Sequence, residues 1–231
     1  MGQWVTIKQE GTRLFSGYLS LPPREEGPGL MILQEIWGVN AHIRALADQY
    51  AAEGFVVLAP DVFWRQETKL DLDYSEPQTR IAYDHYQTLD YPLTGSDLSL
   101  AVDFLVDSPL VNGKKVGVMG FCMGGRLAFS LTGNPRLAAG VSYYGSGIAA
   151  HAEQLKKLEF PFLFHFAELD HLMPVEEVGR IMPRVHAAGV AQVYVYNGAQ
   201  HGFNCPFRAS YSRRDALLAK ARTLEFLAAH L

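Results

Sequence analysis

Short apolar runs alternate along most of this chain with longer stretches whose apolar residues recur every three or four positions. The short runs are typical of buried strands, and the periodic stretches are typical of amphipathic helices. We predict strands at 30–33, 55–59, 116–119, 137–144, 160–166 and 191–196. We predict helices at 40–52, 76–89, 94–106, 176–188 and 212–231, and a further one directly after the strand at 116–119. This alternation predicts an α/β fold, with a mostly parallel central sheet and helices on both faces.

The two ends of the chain add detail to this picture. Residues 4–8 and 15–21 alternate apolar and polar positions around Glu10-Gly11, which predicts antiparallel strands at the N-terminus. In the last helix we expect Leu217, Ala221, Leu224 and Leu227 to lie on one face. Composition changes nowhere along the chain, so we expect a single domain over residues 1–231.

Composition excludes several classes of protein. Of the 231 residues, 48% are hydrophobic and 19% are charged, enough to bury a large core. The net charge of −4 predicts no face that binds nucleic acid. No apolar run is long enough for a transmembrane helix, and the N-terminus lacks the pattern of a signal peptide. Two cysteines make no disulfide framework, so we expect a cytoplasmic protein.

The chemistry is predicted to lie in the stretch VGVMGFCMGGRLAF, residues 116–129. A buried strand, a glycine-rich turn and a helix are the context of a nucleophile elbow, G-x-S-x-G, with Cys122 in the place of the serine. Gly120 and Gly124 would let the strand and helix backbones pass closely. The start of a helix favours the thiolate form of a cysteine. The alternative is a tight connection around a small buried cysteine.

A cysteine nucleophile needs a base and a group that orients the base. His201 lies in a glycine-flanked loop after the strand at 191–196, and Asp170 follows the strand at 160–166. Carboxyl ends of parallel strands meet at one edge of a sheet, where ligands bind. The order nucleophile, acid, histidine is that of the α/β-hydrolases. His165 and His171 are the rival bases, and Asp170 could instead cap the next helix or bind loop amides.

The same fold needs two amide donors for the oxyanion of a tetrahedral intermediate. One is expected from Met123, directly after the nucleophile, and the other from Ile36 in the loop after the strand at 30–33. Glu35 is unusual there because its charge would repel the developing anion unless it turns away or accepts a proton. A salt bridge within the loop is the alternative for this carboxylate.

Together these motifs resemble the dienelactone hydrolases (carboxymethylenebutenolidases), and the resemblance covers nearly the whole chain. The most specific pair is QEIWGVN at 34–40 with GFCMGG at 120–125. The remaining motifs are APDVFWRQ at 59–66, YYG at 143–145, LDHLMP at 169–174, HGF at 201–203 and RTLEFL at 222–227. The resemblance implies an α/β-hydrolase fold and an enzyme that opens an enol-lactone carrying a carboxylate, in the degradation of catechols.

The resemblance also implies roles for individual residues. The family triad carries over to Cys122, Asp170 and His201, and Glu35 would contact the cysteine and help to generate the thiolate when substrate binds. Three aromatic residues would line the pocket: Trp37, Tyr83 and Tyr144. These aromatic residues could equally be ordinary core packing.

Two arginines clamp the substrate carboxylate in the family. Arg80, shortly before Tyr83, is the candidate for the first. At the position of the second stands Cys205, and the next arginine is Arg208. A bidentate arginine clamp is geometrically demanding, so this departure bears on the choice of substrate.

We therefore expect a hydrolase of lactones or esters with no metal and no cofactor, acting on a small molecule as a monomer or weak homo-oligomer. Two alternatives stay open: a broader carboxylesterase or lactonase with a different acyl pocket, and a catalytically silent ligand-binding protein on the same fold. A second hypothesis concerns Cys205, which could form an oxidative bridge with Cys122.

Overall fold

A computed structural model describes residues 2–231, and these residues group into two compact units. The first unit ends at Gly117 and the second runs over Val118–Leu231. The strands that begin in the first unit are β1 (Gln3–Glu10), β2 (Arg13–Ser20), β3 (Gly27–Leu33), β4 (Val56–Pro60) and β5 (Val111–Phe121), of which β5 continues past the boundary. Its helices are α1 (Ala41–Ala52), α2 (Glu76–Gln87) and α3 (Tyr91–Asp107). A single domain over the whole chain stays a prediction.

Strand pairing in the first unit confirms the antiparallel N-terminal strands. The order is β1-β2-β4-β3-β5. β1 runs antiparallel to β2, with Gln3 opposite Leu19, and β2 runs antiparallel to β4. β3 and β4 are parallel, with Leu30 opposite Val57. The antiparallel strands therefore lead into the parallel sheet that the apolar runs predict.

Side-chain caps set where the helices of this unit begin. The Asn40 side chain accepts a hydrogen bond from the Ile43 amide (3.3 Å), so α1 begins where the sequence predicts. α3 begins three residues before the predicted start because Asp90 caps it by accepting from the Leu93 amide (3.0 Å). Pro92 in the first turn has no amide hydrogen to leave unpaired, which suits this early start.

A buried carboxylate on α3 holds the segment that follows β4. Asp97 accepts hydrogen bonds from the indole Nε1 of Trp64 (3.0 Å) and, in bidentate fashion, from the guanidinium of Arg65 (2.8 and 2.9 Å). The guanidinium also lies 4.2 Å from the Trp64 ring centroid and pairs with Glu10 at 2.9 Å. A loop rich in charges and aromatic residues is thereby fixed to a helix.

We expect Asp97→Asn to lower the free energy of unfolding by about 2 kcal/mol, because it leaves Arg65 and Trp64 with an incomplete partner in a mostly buried place. The partly exposed guanidinium keeps this cost below that of a fully buried pair. Urea unfolding measures the change. Glu10→Gln, at the exposed end of the same network, should cost less than about 1 kcal/mol, and equal losses for both variants would contradict the assignment.

The second unit also contains parallel strands. Its strands are the end of β5, β6 (Ala139–Tyr143), β7 (Phe162–Ala167) and β8 (Ala191–Tyr196), in the order β5-β6-β7-β8. β6 pairs parallel with β7, and β7 pairs parallel with β8. The helices are α4 (Met123–Ser130), α5 (Val175–Ala188) and α6 (Arg213–His230). A 3₁₀ helix over Ile148–Lys157 was not predicted from the sequence.

The face of α6 that carries Leu217, Ala221, Leu224 and Leu227 is buried only in part, and Leu227 is its fully buried member. Leu217 is 55% exposed, and Ala221 is exposed as well. The side chains that are buried instead include Ala216, Ala219 and Thr223. The buried stripe thus combines Leu227 with smaller side chains, and it includes the polar Thr223 because its hydroxyl has partners inside the unit. Over residues 2–231, none of the helices has both the length and the apolar character needed to cross a bilayer.

Candidate active site

Cys122 sits on a sharp turn between β5 and α4. Its backbone has φ 54° and ψ −117°, a conformation that non-glycine residues rarely adopt. A Cβ atom on Gly120 would lie 1.9 Å from the Gly124 carbonyl oxygen, so the predicted close passage of strand and helix backbones is present. Strained residues of this kind cluster at active sites, where the surrounding structure holds them.

Two backbone hydrogen bonds hold the turn. The Cys122 amide donates to the Tyr143 carbonyl at 3.0 Å, and the Ser146 amide donates to the Cys122 carbonyl at 3.3 Å. Met123 is the first residue of α4, and amides of the first helical turn lack partners within their own helix. Such amides, next to a buried sulfur, form a place that favours negative charge.

Asp170 joins two functions that the sequence left as alternatives. Its Oδ1 accepts from the amides of Leu172 (2.8 Å) and Met173 (3.2 Å), which fixes the carboxylate in its loop. Its Oδ2 lies 2.8 Å from Nδ1 of His201, and both side chains are almost fully buried. The carboxylate is thus held by amides on one side and orients an imidazole with the other.

His201 has an unusual electrostatic position. Burial, the largest influence, lowers the pKa of the imidazole, but the charge of Cys122 and the hydrogen bond to Asp170 outweigh it and raise the pKa from 6.5 to about 10. Nε2 is buried and has no hydrogen-bond partner of ordinary geometry within residues 2–231, although Cys122 lies close enough to raise the pKa of the ring. Catalytic hydrogen bonds commonly tighten only when substrate is bound.

The rival histidines lie elsewhere. His165 is fully buried within β7, where both ring nitrogens have hydrogen-bond partners. His171 is exposed, with its ring centroid 6.1 Å from that of His201. His201 is therefore the histidine that Asp170 binds and that faces Cys122.

Tyr144 lies beside the imidazole, with a ring centroid 5.1 Å from that of His201 in an edge-to-face arrangement. It is fully buried and has φ 38°, so it is a second strained non-glycine residue next to the same site. Its amide donates to the His165 carbonyl at 2.7 Å. The role of Tyr144 in lining the substrate pocket stays a prediction.

Arg208 packs against the loop that carries His201. A Cβ on Gly202 would lie 2.2 Å from Nη1 of Arg208, so the guanidinium rests on the backbone directly after the histidine. Gly202 also has φ 83°, which favours glycine. Cys205, in the same loop, is fully buried, and neither Cys122 nor Cys205 forms a disulfide within residues 2–231. Their oxidative bridge stays a prediction.

In the first unit, the loop after β3 is buried. Glu35 accepts a hydrogen bond from the Tyr74 hydroxyl at 3.3 Å, and Trp37 donates through Nε1 to Thr79 at 3.1 Å. The Trp37 and Tyr74 rings also contact, with centroids 4.7 Å apart. Sequence reasoning missed Tyr74 and Thr79 because they lie 39 and 42 positions along the chain from their partners, where no local pattern relates them to this loop.

Backbone contacts with residues 70–72 fix the position of this loop. A Cβ on Gly38 would lie 1.9 Å from the Leu70 carbonyl, and the Leu72 amide donates to the Trp37 carbonyl at 3.1 Å. Ile36 is likewise buried. The catalytic role of Glu35 and the oxyanion role of the Ile36 amide stay predictions.

Two other predicted residues lie on α2 and face water. Arg80 pairs with Glu76 one helical turn away, and its side chain is 77% exposed. Tyr83 is 45% exposed. The substrate-binding roles of Arg80 and Tyr83 stay predictions.

The arrangement in the second unit suits acyl transfer. It combines a sulfur at a helix start, an imidazole beside it and a carboxylate on the far ring nitrogen. These are the parts of a nucleophile–base–orienter set, which is recognised by geometry and roles.

Comparisons with known proteins identify the family of the chain. The sequence model of the Dienelactone hydrolase family matches residues 15–231. The carboxymethylenebutenolidase of Pseudomonas putida is 32% identical over 225 residues, covering 97% of this chain and 95% of that protein. A Klebsiella pneumoniae protein assigned as a dienelactone hydrolase superposes with a TM-score of 0.85 at 25% identity, covering 99% of this chain and 98% of that one.

A more distant structure supports the fold alone. The dienelactone hydrolase-like phosphotriesterase P91, from metagenomic libraries, has a TM-score of 0.80 at 22% identity, covering 100% of this chain and 98% of that one. With a family match over nearly the whole length, the α/β-hydrolase fold predicted from the motifs is confirmed. The chain belongs to the dienelactone hydrolase family and is a hydrolase of ester or lactone bonds.

Proposed function

We propose that this enzyme opens a dienelactone-type enol-lactone to the open-chain acid, with Cys122, His201 and Asp170 as its catalytic triad. The observation that carries the proposal is the buried His201, which binds Asp170 at 2.8 Å and carries its raised pKa next to a sulfur on a strained turn. An imidazolium in contact with a cysteine favours the anionic, nucleophilic sulfur.

The reaction then proceeds in two balanced halves. Sγ of Cys122 attacks the lactone carbonyl carbon, and the Met123 amide donates to the oxyanion. The ring C–O bond breaks, and the leaving enolate takes the proton from His201. The neutral His201 next removes a proton from water, the hydroxide attacks the thioester, and the C–S bond breaks. The acid leaves, and the thiolate and imidazolium are restored.

A carboxylate on the substrate would need a cation close to the reacting carbon. Arg208 is the cation that rests on the His201 loop, so we propose that it binds this group. Arg80 has an exposed position and an acidic partner, which makes it the weaker candidate. A broader esterase or lactonase with a different acyl pocket is the alternative that this position of Arg80 favours.

We expect wild-type enzyme to prefer a dienelactone with a free carboxylate over the same lactone with that carboxylate methylated. We expect Arg208→Gln to lower kcat/KM for the free acid by about 10- to 100-fold, since a charge-assisted hydrogen bond contributes about 1.5–3 kcal/mol. The methylated substrate should be hydrolysed at nearly unchanged kcat/KM. Steady-state kinetics on the pair measures both effects.

Arg80→Gln is the matched control, because it removes the same group from the other candidate. A loss at Arg80 with none at Arg208 would reverse the assignment. If neither arginine discriminates between the two substrates, and wild-type hydrolyses both equally well, the dienelactone proposal fails in favour of the broader esterase.

A further inference from the structure

A chain of buried hydrogen bonds lies behind the catalytic residues of the second unit. Thr223 Oγ1 on α6 lies 2.7 Å from the Tyr143 hydroxyl and 2.9 Å from Nε2 of His165. Nδ1 of His165 lies 2.8 Å from the Tyr196 hydroxyl. Four polar side chains from β6, β7, β8 and α6 are thus joined, and the rings of Phe121 and Phe203 pack against their tyrosines.

The hydrogen bonds that join these four side chains have defined donors and acceptors. Burial, with a smaller effect of the Arg222 charge, lowers the pKa of His165 to about 3, so the ring is neutral and has one donor and one acceptor nitrogen. The guanidinium of Arg222 lies 3.8 Å from the Tyr194 ring centroid and 5.3 Å from that of Tyr196. A positive group at that end favours donation by the Tyr196 hydroxyl to Nδ1, which leaves Nε2–H to donate to Thr223.

The backbones of β6 and β7 connect these hydrogen-bonded side chains to the residues of the proposed triad. The Tyr143 carbonyl accepts from the Cys122 amide at 3.0 Å. The His165 carbonyl accepts from the Tyr144 amide at 2.7 Å, and the Tyr144 ring packs on His201. The Tyr143 and His165 rings are themselves in contact, with centroids 4.5 Å apart. The C-terminal part of β6 therefore contacts Cys122, and that of β7 contacts Tyr144.

This connection matters because Cys122 and Tyr144 have positive φ values, 54° and 38°. Such conformations are unfavourable on their own and persist only where the surroundings over-determine them. A phenylalanine at 165 or a valine at 223 would fill the same space without the cost of burying polar groups. We propose that Thr223 and His165 are positioning residues, which hold the ends of β6 and β7 so that Cys122 and His201 face each other.

The inference rests on the proposed role of Cys122, and its test uses variants of the full-length protein. Thr223→Val keeps the shape and removes both hydrogen bonds, whereas Thr223→Ser keeps the hydroxyl and serves as the matched control. We expect Thr223→Val to lower kcat by about 10- to 100-fold with KM nearly unchanged, since displacement of a reacting group by ~1 Å costs about 100-fold. Thr223→Ser should restore kcat to within a few-fold of wild-type.

A second readout needs no substrate. We expect iodoacetamide to alkylate Cys122 more slowly in Thr223→Val than in Thr223→Ser, by a factor similar to the loss in kcat, as followed by peptide mass. If Cys122→Ala were to stay active, the proposed triad would fail whatever these variants do. If Cys122 is required but Thr223→Val matches Thr223→Ser in kcat and alkylation, only the positioning role is overturned.

Tyr196→Phe is a second test of the positioning role, and it does not depend on whether Thr223→Val is stable. It deletes one hydroxyl, the partner of His165 Nδ1, and keeps the ring. We expect a smaller fall in kcat than for Thr223→Val, again without a change in KM. A Tyr196→Phe enzyme with a lower melting temperature and full kcat would overturn the positioning role and show that these buried hydrogen bonds contribute to stability alone.

Discussion

Cys122→Ala is expected to lower kcat on a dienelactone or an aryl ester by at least about 10⁴-fold, the scale of loss when a triad nucleophile is removed. Without Sγ no thioester forms, and the remaining amides and imidazole have only water to act on. The substitution removes one atom from a site held by Tyr143, Ser146 and the Gly120–Gly124 contact. The melting temperature should therefore change little.

The chain offers a matched control for this variant. Cys205 is the other cysteine and is also buried with a reduced thiol, so Cys205→Ala makes the same chemical change in the same unit. We expect its kcat to stay within a few-fold of wild-type. Activity that survives Cys122→Ala and is lost in Cys205→Ala would contradict the proposed nucleophile.

Asp170→Asn is expected to lower kcat by about 10²- to 10⁴-fold, the upper value being the effect of the matched substitution in a serine protease triad. The amide cannot stabilise an imidazolium as a carboxylate does. Because the Asp170 charge helps to raise the pKa of His201, its loss should lower that pKa. The alkaline limb of the kcat/KM profile should accordingly move to lower pH.

The free energy of unfolding should also depend on pH through the raised pKa of His201. The folded pKa of His201, about 10, lies above its ordinary value of 6.5, so its contribution is present below pH 6.5 and is lost as pH rises through 10. We expect wild-type to lose more stability than Asp170→Asn between pH 7 and 10 in urea unfolding. Glu168→Gln, which changes a neighbouring exposed carboxylate bonded to the Gly198 amide, is the control and should show neither effect. An unmoved alkaline limb in Asp170→Asn would contradict the pairing.

The sequence predicts the sheet and the second-unit part of the site because local signals and topology agree there. β8 has the predicted bounds, and each strand of the parallel sheet corresponds to an apolar run. Cys122, Asp170 and His201 each follow the end of a parallel strand, so chain order alone places them at one edge. Asp170 and His201 are hydrogen-bonded as that argument requires.

Other features depend on contacts that no local pattern encodes. The early start of α3 depends on the Asp90 cap, and the buried face of α6 includes Thr223 because its hydroxyl has two partners on β6 and β7. The exposed position of Arg80 depends on the helix face it occupies and on Glu76. The 3₁₀ helix at Ile148–Lys157 gives no long-period signal that would distinguish it from a loop.

The most direct test of the proposed triad is to trap the acyl-enzyme. Wild-type protein mixed with a slowly deacylating aryl ester is quenched in acid during the burst, digested, and examined by peptide mass. We predict the mass of the acyl group on the peptide that contains Cys122, absent from Cys122→Ala and formed far more slowly in Asp170→Asn. Full turnover with no acyl group on that peptide, or with the group on Cys205, would contradict the account.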